Sequence, residues 1–259
     1  MTVPQVPPTQ HSGIVEEFCL LDGCPYPLFS VLSVPADWAG GTGVLLLPGA
    51  GISSVGNARV WVDVARELAA HGKLALRLDV HGVGESGGTA DPADPLRPPT
   101  ADACAAARRV HERGGNDLVI VGECFGARTA LDCVGRVDGL RGLVLLVPPL
   151  GTARPGTPGH AAETVDLLDK LEAAVRSDVR VVVAYGPDDT DREPFLSAVT
   201  ERFGTGFPRA LPALLIRSAA TKIHGIASVE ARMAVRELVV EAVASSVPPT
   251  PGAPVLDTH

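Results

Sequence analysis

Lysine is nearly missing from this chain. Lys73, Lys170 and Lys222 are the only three, and 30 acidic side chains outweigh 22 basic ones for a formal net charge of −8. A surface of that sign offers nothing to nucleic-acid phosphates or to an anionic membrane, which argues against both as partners. Long apolar runs are missing too: none approaches the roughly 20 residues of a membrane-spanning helix. The first residues show no basic start followed by an apolar h-region, so a cytoplasmic location is the expectation. The five cysteines are odd in number and irregular in spacing, and build neither a disulfide framework nor a zinc site. Cys19, Cys24, Cys104 and Cys133 read as packing residues; Cys19 and Cys24 would pair only in an exported protein. Gly82-Val83-Gly84 lacks the third glycine and the following helix of a dinucleotide fingerprint, and there is no P-loop. No cofactor and no metal are expected. The expected partner is a small molecule, and the sequence is silent on oligomeric state.

What is present is apolar residue, 46% of 259 positions, enough for one substantial core. Residues 1–13 and 247–259 are Pro-rich and aperiodic, the pattern of flexible tails. Residues 14–246 are expected to form one domain. Ile14–Leu21 and Pro25–Val34 read as antiparallel strands joined by a turn. Further strands are expected at Gly43–Leu47, Lys73–Asp79, Leu118–Val121, Leu143–Val147, Val179–Ala184 and Ala213–Arg217. Helical patterns separate them, the last one capped by Ser228 with Glu230 in its first turn. Strands alternating with helices predict an α/β fold, a mostly parallel sheet covered on both faces. Residues 151–178 are expected to form a short cap, whose helix carries Val165, Leu168, Leu171 and Val175 on one apolar face. Ligands of such sheets bind at the carboxyl ends of the strands. The loops after Leu47, Asp79, Val121, Ala184 and Arg217 therefore share one rim.

The stretch Leu118–Ala127, LVIVGECFGA, carries the chemistry on that rim. A buried-type strand runs into Gly122-Glu123-Cys124-Phe125-Gly126, the G-x-C-x-G spacing of a nucleophile elbow with sulfur in place of a hydroxyl. The alternative is a buried structural Cys after a strand. At a helix N-terminus Cys124 is expected to have its pKa lowered toward the thiolate. A thiol nucleophile needs a base and an orienting acid. His224 is the candidate base and Asp189 the preferred acid, with Asp188 and Asp191 as rivals. An oxyanion hole would use the backbone N–H groups of Phe125 and Ala50. Asp189 is expected to accept a hydrogen bond from the His224 ring, and Asp189→Asn to spare the fold. Glu123 either pairs with Arg128 or another base, or raises the Cys124 pKa. Arg128 either anchors a substrate carboxylate or satisfies neighbouring loops. His81 and Ser86 are expected to brace the rim.

These motifs together resemble the α/β-hydrolase superfamily over residues 14–246. The resemblance rests on Pro48-Gly49-Ala50-Gly51, D-x-H-G-x-G-x-S at Asp79–Ser86, the elbow, G-x-D-D at Gly186–Asp189, and His224-Gly225. It departs from many relatives in beginning the first loop Pro-Gly instead of His-Gly, and in using Cys for Ser. Dienelactone hydrolases share such a Cys-His-Asp triad. GECFGART also resembles Cys-type hydrolase-like proteins of bacterial biosynthetic clusters, including those linked to loss of an acetyl group from tetronate precursors. The resemblance implies an enzyme that cleaves an ester, thioester or lactone of a small acylated metabolite. A lyase or transferase on the same triad, such as one eliminating acetate, is the alternative. A binding module that kept the fold without activity is the third reading.

Overall fold

A computed structural model describes residues 9–11, 13–21, 25–89, 96–151, 156–207 and 211–247. Nine strands form one sheet: β1 (Thr9–His11), β2 (Ile14–Leu21), β3 (Leu28–Pro35), β4 (Gly41–Leu47), β5 (Leu74–Leu78), β6 (Gly115–Glu123), β7 (Leu140–Leu146), β8 (Arg180–Tyr185) and β9 (Leu214–Ser218). Their spatial order is β1-β2-β3-β5-β4-β6-β7-β8-β9. The pairs from β5 to β9 are all parallel, and β1, β2 and β3 add an antiparallel edge. This is the α/β-hydrolase fold that the motifs imply. Among the described residues six α-helices flank the sheet: α1 (Val60–Ala70), α2 (Thr100–Glu112), α3 (Phe125–Asp132), α4 (Pro158–Arg176), α5 (Arg192–Phe203) and α6 (Val229–Ser246). Helices α1 and α6 pack together over one face, while α2, α3, α4 and α5 succeed one another over the other.

Covering both faces explains the unbroken apolar runs of the central strands. Leu118, Val119, Ile120 and Val121 are all fully buried, as are Leu143, Val144 and Leu145 on the neighbouring strand. Helix α6 begins as its sequence indicates, with the Ser228 side chain accepting the Ala231 N–H at 3.0 Å.

Two stretches differ from expectation. Within the segment read as an N-terminal tail, Thr9–His11 pairs with β2 as a short edge strand; residues 1–8 and 248–259 lie outside the described residues. The segment read as a cap contains α4, which packs on α3, β8 and α5 as a sheet-covering helix. Its buried face is Leu167, Leu168, Leu171 and Ala174, whereas Val165 is 54% exposed. The sheet, not a ligand, accounts for its apolar side.

Candidate active site

The elbow is formed by the join of β6 and α3. Cys124 sits there with φ 52° and ψ −117°, a conformation that L-residues reach only under constraint. Its N–H donates to the Leu146 carbonyl at 2.8 Å, and its own carbonyl accepts the Ala127 N–H at 3.0 Å. The flanking glycines are obligatory for a steric reason. A β-carbon at Gly126 would stand 2.5 Å from the Pro48 carbonyl oxygen, and one at Gly122 would stand 2.5 Å from the Ala127 nitrogen. The first loop passes close to the elbow: a β-carbon at Gly49 would meet that of Cys124 at 3.6 Å. Ala50, expected to supply an oxyanion donor, lies next along that loop. Phe125, the other expected donor, opens α3, where the first N–H groups have no intrahelical acceptor.

The thiol is held protonated, contrary to the expectation of a lowered pKa. Burial pushes Cys124 up; the Phe125 N–H opposes this, and the carboxylates of Glu123 and Asp191 add to it. The favourable helix terminus is outweighed because Cys124 is half-buried and negative charge at Glu123 and Asp191 disfavours a thiolate. Asp191, read only as a rival acid, is thus the residue of its loop whose charge raises the thiol pKa. Asp188 is exposed.

Glu123 points into the core and is 7% exposed. Burial lifts its pKa from the ordinary 4.5 to about 7. The Trp61 indole N–H pulls the other way but makes no full hydrogen bond. Arg128 is not its partner. That guanidinium donates to the Leu150 carbonyl at 3.1 Å and faces Glu163 and Asp166 at 3.9 Å, tying α3 to α4 and the chain after β7. Arg128 therefore satisfies neighbouring elements. The unfolded chain releases the Glu123 proton more easily than the folded one, so the contribution of this group to stability is full below pH ~4.5 and is lost as pH rises through about 7. That interval is worth about 3 kcal/mol at ~1.4 kcal/mol per pH step. Urea unfolding at pH 5 and pH 8 should show this loss, and Glu123→Gln should flatten it.

Asp189 is 5% exposed, and its carboxylate is filled by backbone donors. It accepts N–H groups from Gly186 at 2.6 Å, Ile223 at 3.3 Å and His224 at 2.9 Å. The bond expected to the His224 ring is replaced by one to the His224 backbone. The residue clamps the loop after β8 to the loop after β9. His224 itself is exposed, and among the described residues its ring has no hydrogen-bond partner. Asp189→Asn should therefore cost stability, about 2–3 kcal/mol, because an amide cannot accept at both positions. Chemical denaturation would check this; a stability unchanged within error would contradict the clamp.

Two residues that sequence reasoning passed over border the site. Tyr185, at the end of β8, donates its hydroxyl to the Pro148 carbonyl at 2.7 Å. Burial first, then the charges of Asp191 and Asp189, push its pKa up, which keeps it a neutral donor. Trp61 is fully buried beneath Glu123. The rim loop after β5 is braced as expected. Asp79 accepts the N–H groups of Ser54 at 2.5 Å and Glu85 at 2.9 Å, and the Ser86 hydroxyl bridges Asp79 and Phe29. A cavity of about 840 Å³ opens beside this loop, walled by Ala50, Gly51, His81 and Phe125 among others. Among the described residues no group of three or more His, Cys, Asp or Glu side chains could hold a metal ion.

The pattern of the alpha/beta hydrolase family matches residues 44–254. The chain belongs to that family. No curated protein matches its sequence. Solved structures of similar fold include the thioesterase domain from the curacin biosynthetic pathway, 15% identical over 87% of this chain and 99% of that one, with a TM-score of 0.61. An esterase of Pyrococcus furiosus is 15% identical over 95% of this chain and 99% of its own, with a TM-score of 0.65. A dienelactone hydrolase-like promiscuous phosphotriesterase from metagenomic libraries is 18% identical over 91% of this chain and 99% of that one, with a TM-score of 0.60. At these identities the likeness is one of fold. Within the alpha/beta hydrolase family the elbow is where a nucleophile stands. Here that position holds a thiol.

Proposed function

We propose that this alpha/beta hydrolase is a cysteine-dependent acyl hydrolase acting on an ester, thioester or lactone of a small metabolite. The observation that carries the reading is Cys124 itself, strained to φ 52° at the end of β6 and overlooked by the loop containing Ala50. Strain of this kind persists where the surrounding structure requires it, and here it lifts a side chain out of the strand toward the rim.

In this reading the Cys124 sulfur attacks the substrate carbonyl carbon as its proton passes to His224. The neutral resting thiol makes proton loss part of the attack instead of a prior equilibrium. The oxyanion is met by the N–H groups of Phe125 and Ala50. His224 returns the proton to the leaving oxygen or sulfur, then draws one from water, and hydroxide addition to the thioester releases the acid and restores the thiol. Asp189 fixes the backbone at His224, leaving the unbonded ring to turn toward the sulfur.

The test is trapping. Incubation with p-nitrophenyl acetate or an N-acetylcysteamine thioester, followed by acid quench and peptide mass mapping, should find the acyl group on Cys124. The product should be free acid plus alcohol or thiol. Turnover of a β-acetoxy substrate to acetate and an alkene, with no acyl-Cys124, would replace hydrolysis by the acetate-eliminating alternative. Acylation confined to other residues would overturn the sulfur mechanism.

A further inference from the structure

We propose that the cavity beside Cys124 is an oxyanion-binding pocket, so that the acyl substrate carries a carboxylate or phosphate group. The word substrate rests on the function proposed above; the binding site does not. Four observations meet in the wall of this one cavity.

The first is volume and place. About 840 Å³ suits a small metabolite, and the wall includes Gly49, Ala50 and Phe125, the residues that flank the sulfur and supply the proposed oxyanion donors. Cys124 itself is not part of this wall, but its chain neighbours Phe125 and Gly126 are, so a ligand filling the cavity lies next to that residue. The second is a histidine held in one orientation. His81 Nδ1 lies 2.7 Å from Asp102 Oδ2, and the same oxygen accepts the His81 backbone N–H at 2.8 Å. With Nδ1–H given to Asp102, Nε2 is the ring nitrogen left for a ligand, and it donates to an anion when the ring carries both protons.

The third observation is an imbalance of charge. The wall holds two carboxylates and two guanidiniums, and only the carboxylates are satisfied. Asp102 serves His81, and Asp132 is bound by Lys170 at 2.6 Å. Arg97 and Arg136 also line the cavity, and among the described residues neither forms an ion pair. Among the described residues ten of the fifteen other arginines do find a carboxylate, as Arg66, Arg77 and Arg113 show. The fourth is context: in a chain of net charge −8, two unmatched guanidiniums and an oriented imidazole on one wall run against the average surface. Guanidinium forks match the paired oxygens of carboxylate and phosphate.

Isothermal titration calorimetry on the full chain tests this without requiring catalysis. Glutarate and inorganic phosphate are the probes, with 1,5-pentanediol as the neutral control and Cys124→Ala run beside the wild type. At least one anion should bind both proteins alike and more than tenfold tighter than the diol, and its affinity should fall with added salt. Arg136→Gln and Arg97→Gln alter exposed side chains without threatening the fold, and each should weaken the anion by about fivefold or more. His81→Gln should do the same. Preference for glutarate assigns a carboxylate, and preference for phosphate assigns a phosphoryl group. Diol binding equal to that of both anions, or unchanged anion affinity in all three variants, would overturn the proposal. If Cys124 fails to acylate while the anions bind as described, the function above is wrong and the pocket stands.

Discussion

Replacing Cys124 by Ala should lower kcat/KM toward any acyl substrate by at least about 10³-fold. The melting temperature should move by no more than ~2 °C. The two expectations are linked by geometry. Cys124 holds its place through backbone bonds to Leu146 and Ala127, which alanine keeps, and the strained φ of 52° is common to both residues. What disappears is the sulfur alone. Cys124→Ser should retain little activity, since the serine hydroxyl is harder to deprotonate and would meet the same Glu123 and Asp191 charges that raise the thiol. Initial rates with paired thermal melts decide the matter. Full activity in Cys124→Ala would return the residue to the role of a packing cysteine between two glycines.

Gly126→Ala should be severely destabilising, costing more than ~3 kcal/mol. Its β-carbon would overlap the carbonyl oxygens of Leu47 and Pro48. Both are backbone atoms at the end of β4, and no rotamer change moves them aside. Relief would require parting α3 from the strand beneath it, which would also withdraw Cys124 from the loop above. For a domain of this size the loss corresponds to a fall in melting temperature of roughly 10 °C or outright failure to fold. Gly206→Ala is the control, since nothing lies within 4 Å of the added carbon. Similar melting temperatures for the two variants would show that the elbow has slack that its contacts do not suggest.

What the sequence disclosed about this site, and what it withheld, follows the reach of each interaction. The elbow was legible because its demands are local: apolar residues into a turn, and glycines where a helix crosses close behind. The Ser228 cap was legible for the same reason, its oxygen meeting an N–H three residues on. The strand at Thr9–His11 was not, because three residues paired through backbone groups carry no periodicity. Val165 was misplaced on α4 because it and Leu167 are equally apolar, and only the presence of β8 and α3 decides which is covered. The partners of Asp189 were invisible in principle, since backbone N–H groups 34 and 35 residues away leave no mark in side-chain types. The thiol was misjudged because a helix N-terminus can be read from the chain, whereas the burial that outweighs it cannot. The cavity wall likewise joins His81 to Asp102, which are 21 positions apart.

The protonated state of Cys124 bears on how the protein ages. Peroxide and disulfide chemistry proceed through the thiolate, and a sulfur that keeps its proton at rest offers little of that form to an oxidant. If Cys124 is the nucleophile proposed above, burial and the carboxylates of Glu123 and Asp191 would both slow its attack and shield it between turnovers. On that mechanism the arrival of a substrate, as it draws the proton away, would expose the reactive species. An enzyme built this way exchanges some intrinsic speed for endurance, and stored without reductant it would be expected to keep its active thiol.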